Sequence, residues 1–350
     1  MEIIARRRPL VSVVIDTYNY GRFIEEAIES VLDQTFPSKE IEIIVVDDGS
    51  IDDTQSRVKK YRKRIRYFYK ENGGQASALN LGFQQARGEY IALLDADDYF
   101  LPEKIGQVVQ EFEKHKQVVM VLHGRQIDQN GLKRVSLMNA CHNVKLSRQN
   151  VRAIQKFGFW TSTVTMKRKS LGVIIPIPNE LLILADMYLA SLLWLGNLSY
   201  LNKPLAVYRV HSSNWFFTSD FEKIPLILKC KREALKRVRE KAVSFGNFDE
   251  NLFQTLIEPE LIGLKEYEVY HRTFQGQTCW FELVLVELRR LKFYWSEWNL
   301  VYKVYQILKL PIFLLFSPKF IIWLKNRYAR SSWLKIRKKF FPLRSYDRET

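Results

Sequence analysis

The feature that most constrains this chain is an apolar run, Ile91–Asp98 (IALLDADD), that ends abruptly in three carboxylates. Such a run predicts a parallel strand buried on both faces. Ligands of open α/β sheets bind just outside the carboxyl ends of such strands. Asp95 and Asp97 would therefore offer hard oxygen ligands, which suit Mg²⁺ or Mn²⁺ together with phosphate oxygens. For Asp95-Ala96-Asp97 alone, a solvated acidic loop is the more ordinary interpretation. The flanking sequence therefore has to discriminate between such a loop and a metal site.

Strand and helix patterns alternate between Pro9 and about His123. The runs typical of strands are Leu10–Ile15, Ile41–Val46, Ile65–Tyr69 and Ile91–Leu94. Helical patterns occupy residues 23–32, 55–64 and 76–86, and another opens at Pro102. This alternation predicts a parallel sheet with helices on both faces. Neither a Gly-x-Gly-x-x-Gly nor a Walker-type loop follows the first strand, which disfavours a dinucleotide fold and a P-loop enzyme.

Three of the predicted strands end in a carboxylate. These ends carry Asp16, the pair Asp47-Asp48, and Asp95 to Asp98. Because the carboxyl ends of parallel strands share one edge of the sheet, these side chains would cluster. Such a cluster is electrostatically unfavourable unless a cation or a hydrogen-bonding ligand compensates it. The sequence therefore predicts a binding site at this edge.

The motifs also occur in a particular order and spacing. They are Val11-Ser12-Val13-Val14-Ile15-Asp16-Thr17-Tyr18-Asn19, Val45-Val46-Asp47-Asp48-Gly49-Ser50, Asn72-Gly73-Gly74, Ala78-Leu79-Asn80 and Gly88–Asp98. From roughly Pro9 to Asn214 the chain resembles the family 2 glycosyltransferases. The resemblance implies a GT-A (Rossmann-like) α/β fold, a mostly parallel sheet flanked by helices, here with a C-terminal helical extension. It also implies an enzyme that transfers a sugar from a nucleotide-diphosphate donor with inversion at the anomeric carbon.

The resemblance assigns roles on the donor side. Asp48 would accept a hydrogen bond from the base N–H, Asp95 would reach the ribose, and Asp97 would ligate the metal that bridges the diphosphate. Residues that would line the nucleotide pocket or shape the loop beside the donor are Thr17, Tyr18, Asn72, Gly73, Gly74 and Asn80. The chain departs from the family at Asp16, where Pro is usual, and at Leu79, where Arg or Lys is frequent. The second departure removes a phosphate contact.

Inverting transfer needs a base from a segment other than the metal loop. Asp186 is a lone acid in the apolar stretch Leu182–Leu195, where burial is costly without a partner or a role. A first-turn carboxylate stabilised by the helix dipole is an equally good interpretation from chemistry alone. The position resembles the second acid of the Glu-Asp pair that begins a helix in the family, with Ala185 in place of the Glu. That resemblance favours Asp186 as the catalytic base.

The stretch Tyr208–Asn214 (YRVHSSN) resembles the motif that closes the catalytic domain of the family. A lone histidine is more often structural, but the resemblance implies that His211 completes the metal shell, and imidazole tolerates Mn²⁺. Arg209 would balance phosphate charge or pair with a surface acid. Trp160, Thr161 and Ser162 would begin the acceptor subsite, although core packing explains Trp160 equally well.

Charge and hydropathy divide the rest of the chain. The formal net charge is +16, and from Lys303 onward twelve Lys and Arg residues stand against two acidic ones. The apolar run 307–324 is interrupted by Lys and Pro residues, so it is a poor spanning helix. Together with its aromatic and basic neighbours, this segment is typical of a helix that lies in the membrane interface. One alternative is a helical cap with a solvated basic tail, and a weaker one is a nucleic-acid-binding patch. We predict a catalytic domain over residues 1–217, a helical extension over 218–306 and an interfacial segment with a tail over 307–350.

The three cysteines, Cys141, Cys230 and Cys279, have no disulfide or zinc rhythm, which fits a reducing compartment. The amino-terminal apolar run predicts a first strand rather than a signal peptide. The sequence thus predicts a cytoplasmic glycosyltransferase, peripheral on the inner membrane face, that uses Mn²⁺ or Mg²⁺ and a UDP-sugar and does not bind nucleic acid. Its acceptor would be a hydroxyl of a glycan or polyprenyl-linked molecule in cell-surface polysaccharide synthesis. The alternatives are a non-catalytic nucleotide-sugar or glycan-binding module and a nucleotidyltransferase.

Overall fold

The computed structural model describes residues 9–129, 131–137, 139–155, 160–211, 213–214, 223–275, 277 and 280–294. The chain forms two compact units, one from residues 1–217 and 229–256 and one from residues 218–228 and 257–350. The strands are β1 (Val11–Thr17), β2 (Ile41–Asp47), β3 (Arg66–Tyr69), β4 (Tyr90–Asp95), β5 (Tyr99–Phe100), β6 (Val118–Gln129), β7 (Leu132–Ser136), β8 (Cys141–Val144), β9 (Thr165–Lys167) and β10 (Asn197–Val210). The helices are α1 (Gly21–Leu32), α2 (Thr54–Val58), α3 (Gly74–Gln85), α4 (Lys104–Lys114), α5 (Val151–Gln155), α6 (Arg168–Leu171), α7 (Ala185–Leu189), α8 (Ile224–Ser244), α9 (Glu250–Phe274) and α10 (Trp280–Tyr294).

The described strands form one mixed sheet in the order β3-β2-β1-β4-β9-β6-β10-β5, with β7 paired to β6 and β8 to β10. The first four strands are parallel, as is the long β6–β10 pair. Strand β9 runs antiparallel between β4 and β6. The predicted fold class, a mostly parallel sheet flanked by helices with a helical carboxyl-terminal region, is confirmed. The antiparallel strands were not predicted.

Alternate residues of β1 pack against helices on opposite faces of the sheet. Val11, Val13 and Ile15 belong to a core that includes the buried faces of α1, α2 and α4. Val14 faces α3, where a Cβ on Gly82 would lie 2.4 Å from its Cγ1. Gly82 therefore lets α3 pack close to the sheet. This two-sided packing explains why the strand is a continuous apolar run.

Two predicted helices are shorter than the sequence pattern indicated. The helix expected over residues 55–64 is α2 (Thr54–Val58) followed by one 3-10 turn. Its first turn is held by Asp52, whose Oδ1 accepts hydrogen bonds from the N–H and hydroxyl of Thr54. The helix expected to continue from Asp186 through Leu195 is the five-residue α7 followed by a 3-10 segment, Ala190–Trp194.

In the second unit, α9 and α10 pack through a small apolar cluster of Ile262, Val269, Leu283 and Val286. Ion pairs join the same helices, such as Arg289 with Glu258 at 2.7 Å. Within the described ranges, none of the helices is long and apolar enough to cross a membrane. The interfacial segment predicted over residues 307–350 lies outside the described residues.

Candidate active site

The carboxyl ends of β1, β2 and β4 bring acidic residues to one edge of the sheet. Asp16 is paired in register with Asp95, and Thr17 with Asp47. Beyond β4, carboxylate oxygens of Asp95, Asp97 and Asp98 all lie within 4.8 Å of one another. The clustering expected from parallel strands is therefore present.

Mutual repulsion within this cluster alters its ionisation. Burial, reinforced by the charges of Asp97, Asp186 and Asp48, raises the pKa of Asp16 to about 7. Burial and the neighbouring Asp16 and Asp97 also raise the pKa of Asp95 well above its ordinary value. Oδ1 of Asp16 is buried, and it has no hydrogen-bond partner in the described part of the chain. A divalent cation would relieve both the repulsion and the unsatisfied oxygen, so these residues fit a metal.

Asp98 belongs to the same cluster but is held by protein donors. Its Oδ2 accepts the Ser162 hydroxyl at 2.6 Å and its Oδ1 accepts the Arg209 N–H at 3.0 Å. Asp98 thereby ties the acidic loop to β10 and to the turn after Trp160. Asp95 and Asp97 are consequently the better candidates for metal ligands.

His211 contacts Asp97 directly. Its Nε2 lies 3.0 Å from Asp97 Oδ2, which also accepts a hydrogen bond from Asn214 Nδ2 at 3.1 Å. Its Nδ1 faces two donors, the Ser213 N–H at 3.2 Å and Arg22 Nη2 at 3.3 Å. The tautomer that satisfies both donors at Nδ1 carries its proton on Nε2 and donates it to Asp97, and Asn214 Nδ2, which lies 3.2 Å from Nε2, then donates to Asp97. The surroundings of His211 thus favour a hydrogen bond that positions Asp97, and ligation through Nε2 would require that proton to leave.

Asp48 lies directly after β2, and its carboxylate accepts hydrogen bonds from the following loop. Lys70 Nζ donates to its Oδ1 at 2.6 Å, the Gly73 N–H donates to the same oxygen at 3.0 Å, and the Gly74 N–H donates to Oδ2 at 2.7 Å. A carboxylate oxygen has two lone pairs, so Oδ2 can still accept one more donor. The predicted contact to a nucleotide base would use that remaining position.

The predicted donor loop is a tight turn into α3. Gly74 has φ +82°, and a Cβ there would lie 2.6 Å from the Leu182 Cα. Asn72 is exposed at the start of the turn, beside Gly49. The amide of Asn80 pairs with both backbone groups of Ile177 at 2.8 Å, so it shapes the loop from behind. Leu79 is fully buried in the core.

Asp186 lies in the first turn of α7. Its Oδ2 is 3.4 Å from the Thr161 hydroxyl, and its Oδ1 accepts the Met187 N–H at 3.0 Å. Gln75 at the start of α3 accepts the Ala185 N–H at 3.0 Å. Neither Gln75 nor its contact with this segment was predicted, because the partners are more than a hundred residues apart. Thr161 was predicted at the acceptor side, and it lies next to Asp186.

The remaining residues predicted to line the nucleotide pocket are Thr17, the last residue of β1, and Tyr18, which follows it. Thr17 is buried, and its hydroxyl has no hydrogen-bond partner among the described residues, whereas Tyr18 is 45% exposed. Tyr20 was not predicted. Burial and the charges of Asp97 and Asp95 raise the pKa of its phenol, which therefore stays protonated next to the acidic cluster.

Arg209 pairs with a surface acid in the structure, and its contact with phosphate stays a prediction. Its Nη2 lies 2.5 Å from the carboxylate of Glu26. The guanidinium also stacks on the rings of Tyr99, at 4.6 Å, and Phe23, at 5.1 Å. Trp160 packs edge-on against Tyr208 and under Arg125, as the core-packing interpretation expects.

Comparison with known proteins places the chain among the glycosyltransferases. An uncharacterized glycosyltransferase from Nostoc sp. is 35% identical over 217 residues, which cover 58% of this chain and 66% of that protein. The chain thus spans just under two thirds of this curated relative.

Solved structures share its fold. S. aureus TarS in complex with UDP-GlcNAc matches with a TM-score of 0.53 at 20% identity, over 81% of this chain and 89% of that one. The mannosyltransferase PcManGT from Pyrobaculum calidifontis, in complex with GDP-Man and Mn²⁺, matches with a TM-score of 0.53 at 18% identity, over 96% and 88%. The fold is therefore the GT-A fold.

The family model described as "Glycosyl transferase family 2" matches residues 12–175, which contain β1 to β4 and the acidic cluster. This match shows that residues 12–175 of the chain form a glycosyl transferase family 2 domain.

Proposed function

We propose that this chain is a metal-dependent, inverting glycosyltransferase that moves a sugar, of hexosyl type, from a nucleotide-diphosphate donor to a hydroxyl acceptor. The observation that supports this most directly is the convergence on Asp16. The carboxylates of Asp48, Asp97 and Asp186 come from three distant segments, and all three are close enough to Asp16 to raise its pKa. We infer from this that the donor-side, metal-side and acceptor-side acids belong to one site.

The metal, Mn²⁺ or Mg²⁺, would be held by Asp95 and Asp97 and would neutralise charge on the departing diphosphate. His211 would orient Asp97, or become a further ligand after losing its Nε2 proton. Tyr20 would supply a neutral hydroxyl next to these charges. Thr17, Tyr18 and the free acceptor position of Asp48 would face the nucleotide.

Asp186 would act on the acceptor. As the acceptor oxygen bonds to the anomeric carbon on the face opposite the diphosphate, the Asp186 carboxylate would take the hydroxyl proton. The Thr161 hydroxyl at 3.4 Å and the N–H of Met187 would keep the carboxylate oriented. The nucleoside diphosphate would leave without that proton.

The donor we propose is a UDP-sugar, for which the UDP-GlcNAc complex of TarS is a precedent and the GDP-Man complex of PcManGT the nearest alternative. The acceptor we propose is a glycan or polyprenyl-linked molecule of the cell surface. We place the enzyme on the cytoplasmic face of the membrane, held there by the basic segment 307–350.

The test is donor turnover by the full chain. A panel of UDP- and GDP-sugars should identify one donor that releases nucleoside diphosphate only when Mn²⁺ or Mg²⁺ is present, with water standing in for the acceptor. We expect Asp97→Asn to lose both metal-dependent donor binding and turnover. Asp186→Asn should retain donor binding, measured by calorimetry, and lose turnover by about 1,000-fold, within the range of acid–base catalysis.

Asp33→Asn is the matched control, because Asp33 is an exposed acid just after α1. It should turn over donor at the wild-type rate. Normal turnover in Asp186→Asn would refute the base, and metal-independent turnover would refute the metal. Pyrophosphate release would indicate a nucleotidyltransferase, and donor binding with no turnover of any donor and acceptor would indicate a binding module.

A further inference from the structure

A second cluster of metal-ligating side chains lies at the carboxyl end of α4. Glu111 is on the last turn of α4, His115 follows directly after that helix, and His142 is on β8. Ligand atoms of these three residues all lie within 4.8 Å of one another. We propose that Glu111, His115 and His142 bind one divalent transition-metal ion of the zinc class.

The distances are those of a small coordination sphere. Oε1 of Glu111 lies 2.9 Å from Nδ1 of His142 and 3.7 Å from Nε2 of His115. In a tetrahedral zinc site with bonds of about 2.1 Å, neighbouring ligand atoms are separated by about 3.4 Å. These two separations lie on either side of that value, and the ligand atoms of the two histidines lie within 4.8 Å of each other.

An unsatisfied nitrogen indicates what the cluster lacks. Nε2 of His115 is buried and has no hydrogen-bond partner among the described residues, and 3.7 Å is too long for a hydrogen bond to Glu111. A metal ion would accept the lone pair of this nitrogen. The same ion would balance the carboxylate of Glu111, whose side chain is only 6% exposed.

The ligand chemistry selects the ion. Two imidazoles and one carboxylate favour Zn²⁺ and its neighbours in the first transition series over Mg²⁺ or Ca²⁺. Three protein ligands leave a fourth position for water, and His142, whose side chain is 46% exposed, lies at the open side.

This cluster is separate from the acidic cluster. The Tyr90 hydroxyl, at the start of β4, donates to Glu113 in the last turn of α4 at 2.8 Å, so this end of α4 lies at the amino end of β4. Asp95 lies at the opposite end of that strand, about 17 Å away at the usual rise per residue. The proposed ion would therefore lie outside the acidic cluster and would join α4 to the strand β8, which pairs with β10.

The test is Zn²⁺ binding to the tag-free full chain, measured by competition with a chromogenic chelator. We expect one tight site per chain in the wild type, in Asp97→Asn and in His271→Gln, a matched loss of a histidine outside the cluster. His142→Gln and His115→Gln should weaken Zn²⁺ binding by about 100-fold or more, at least as much as losing an outer-shell partner does. Circular dichroism in the presence of EDTA would verify that each variant is folded.

Co²⁺ provides a readout that does not depend on any variant. Co²⁺ bound to the wild type should give the intense visible absorption of a four-coordinate site with nitrogen ligands, and Zn²⁺ should abolish it. Absence of a tight site in the wild type, unchanged binding in His142→Gln, or loss of the site in Asp97→Asn would overturn the proposal.

Discussion

Two sets of carboxylates follow neighbouring strands of the same sheet, and their surroundings are opposite. The oxygens of Asp47 and Asp48, after β2, are held by protein donors such as Tyr67, Ser50 and Lys70. Asp16 and Asp95, on β1 and β4, are instead buried near other carboxylates, and burial together with these charges raises their pKa values. The first set builds the loop into α3, whereas the second retains charge that the described protein does not neutralise. A buried carboxylate oxygen without a protein donor, such as Asp16 Oδ1, is therefore a stronger indication of a bound cation than one held by the loop that follows it.

We expect the largest loss of stability when Asp48, a carboxylate of the first set, loses its charge. Asp48→Asn removes a charge paired with Lys70 and places an amide against two glycine N–H groups. We expect a loss of about 3 to 5 kcal/mol in the free energy of unfolding, as for a broken buried ion pair, measured by urea denaturation. Asp95→Asn should leave the metal-free protein as stable or more stable, because it relieves repulsion. Equal losses in both variants would contradict the distinction between the two sets.

The turn held by Asp48 gives the next largest effect. Gly74→Ala places a Cβ 2.6 Å from the backbone of Leu182 at φ +82°. We expect a loss of about 2 to 4 kcal/mol from strain and overpacking together. Gly131→Ala is the control, because Gly131 has φ +80° and nothing lies within 4 Å of the added Cβ. This variant should therefore lose only the free energy of placing an alanine at positive φ. Thermal unfolding of both variants separates the two terms, and equal losses would exclude the contact with Leu182.

The buried carboxylates of Asp16 and Asp95 should make the stability of the metal-free protein depend on pH. Because the pKa of Asp16 is raised to about 7 in the folded protein, the native state binds more protons than the unfolded state between pH 4 and 7. Stability should therefore fall as pH rises through this window, by about 2 kcal/mol, roughly half the full linkage value because the side chain is only partly buried. Asp16→Asn should flatten the profile, and Mn²⁺ should restore stability near pH 7. A rise in metal-free stability with pH would contradict the repulsion.

The smallest effect we expect is at Arg209. Its ion pair with the exposed Glu26 is worth less than about 1 kcal/mol, so Arg209→Gln should lower stability slightly and change the KM for the donor by less than about twofold. Calorimetry and initial rates measure the two quantities. A tenfold rise in KM would show instead that Arg209 contacts the phosphates, the other interpretation that its sequence neighbours suggest.

The amino-terminal sheet could be predicted because β1, β2 and β4 are buried on both faces and are therefore continuous apolar runs. Strand β7 could not be recognised in this way, because Leu132 and Val135 are exposed. The predicted α2 was too long because a helical pattern does not reveal that the last turn tightens into a 3-10 turn.

For the candidate site, residue types and strand ends were sufficient to nominate Asp95 and Asp97, whereas Asp186 was nominated by the family resemblance. The protein partners of Asp48 and Arg209 could not be predicted, because they depend on contacts between distant segments. The Glu111–His115 spacing of four residues on a helix was visible in the sequence, but nothing in the sequence connects it to His142.

Gln75 links the two halves of the candidate site. Its backbone N–H donates to Leu182 at 2.8 Å, and its side-chain oxygen accepts the Ala185 N–H, one residue before Asp186. Gln75 thus connects, through two hydrogen bonds, the turn that would bind the sugar nucleotide to the residue that would accept the acceptor proton. Substitutions that reshape this turn should therefore move Asp186 as well, so that under the proposed function a change in donor preference should also change the reaction with the acceptor.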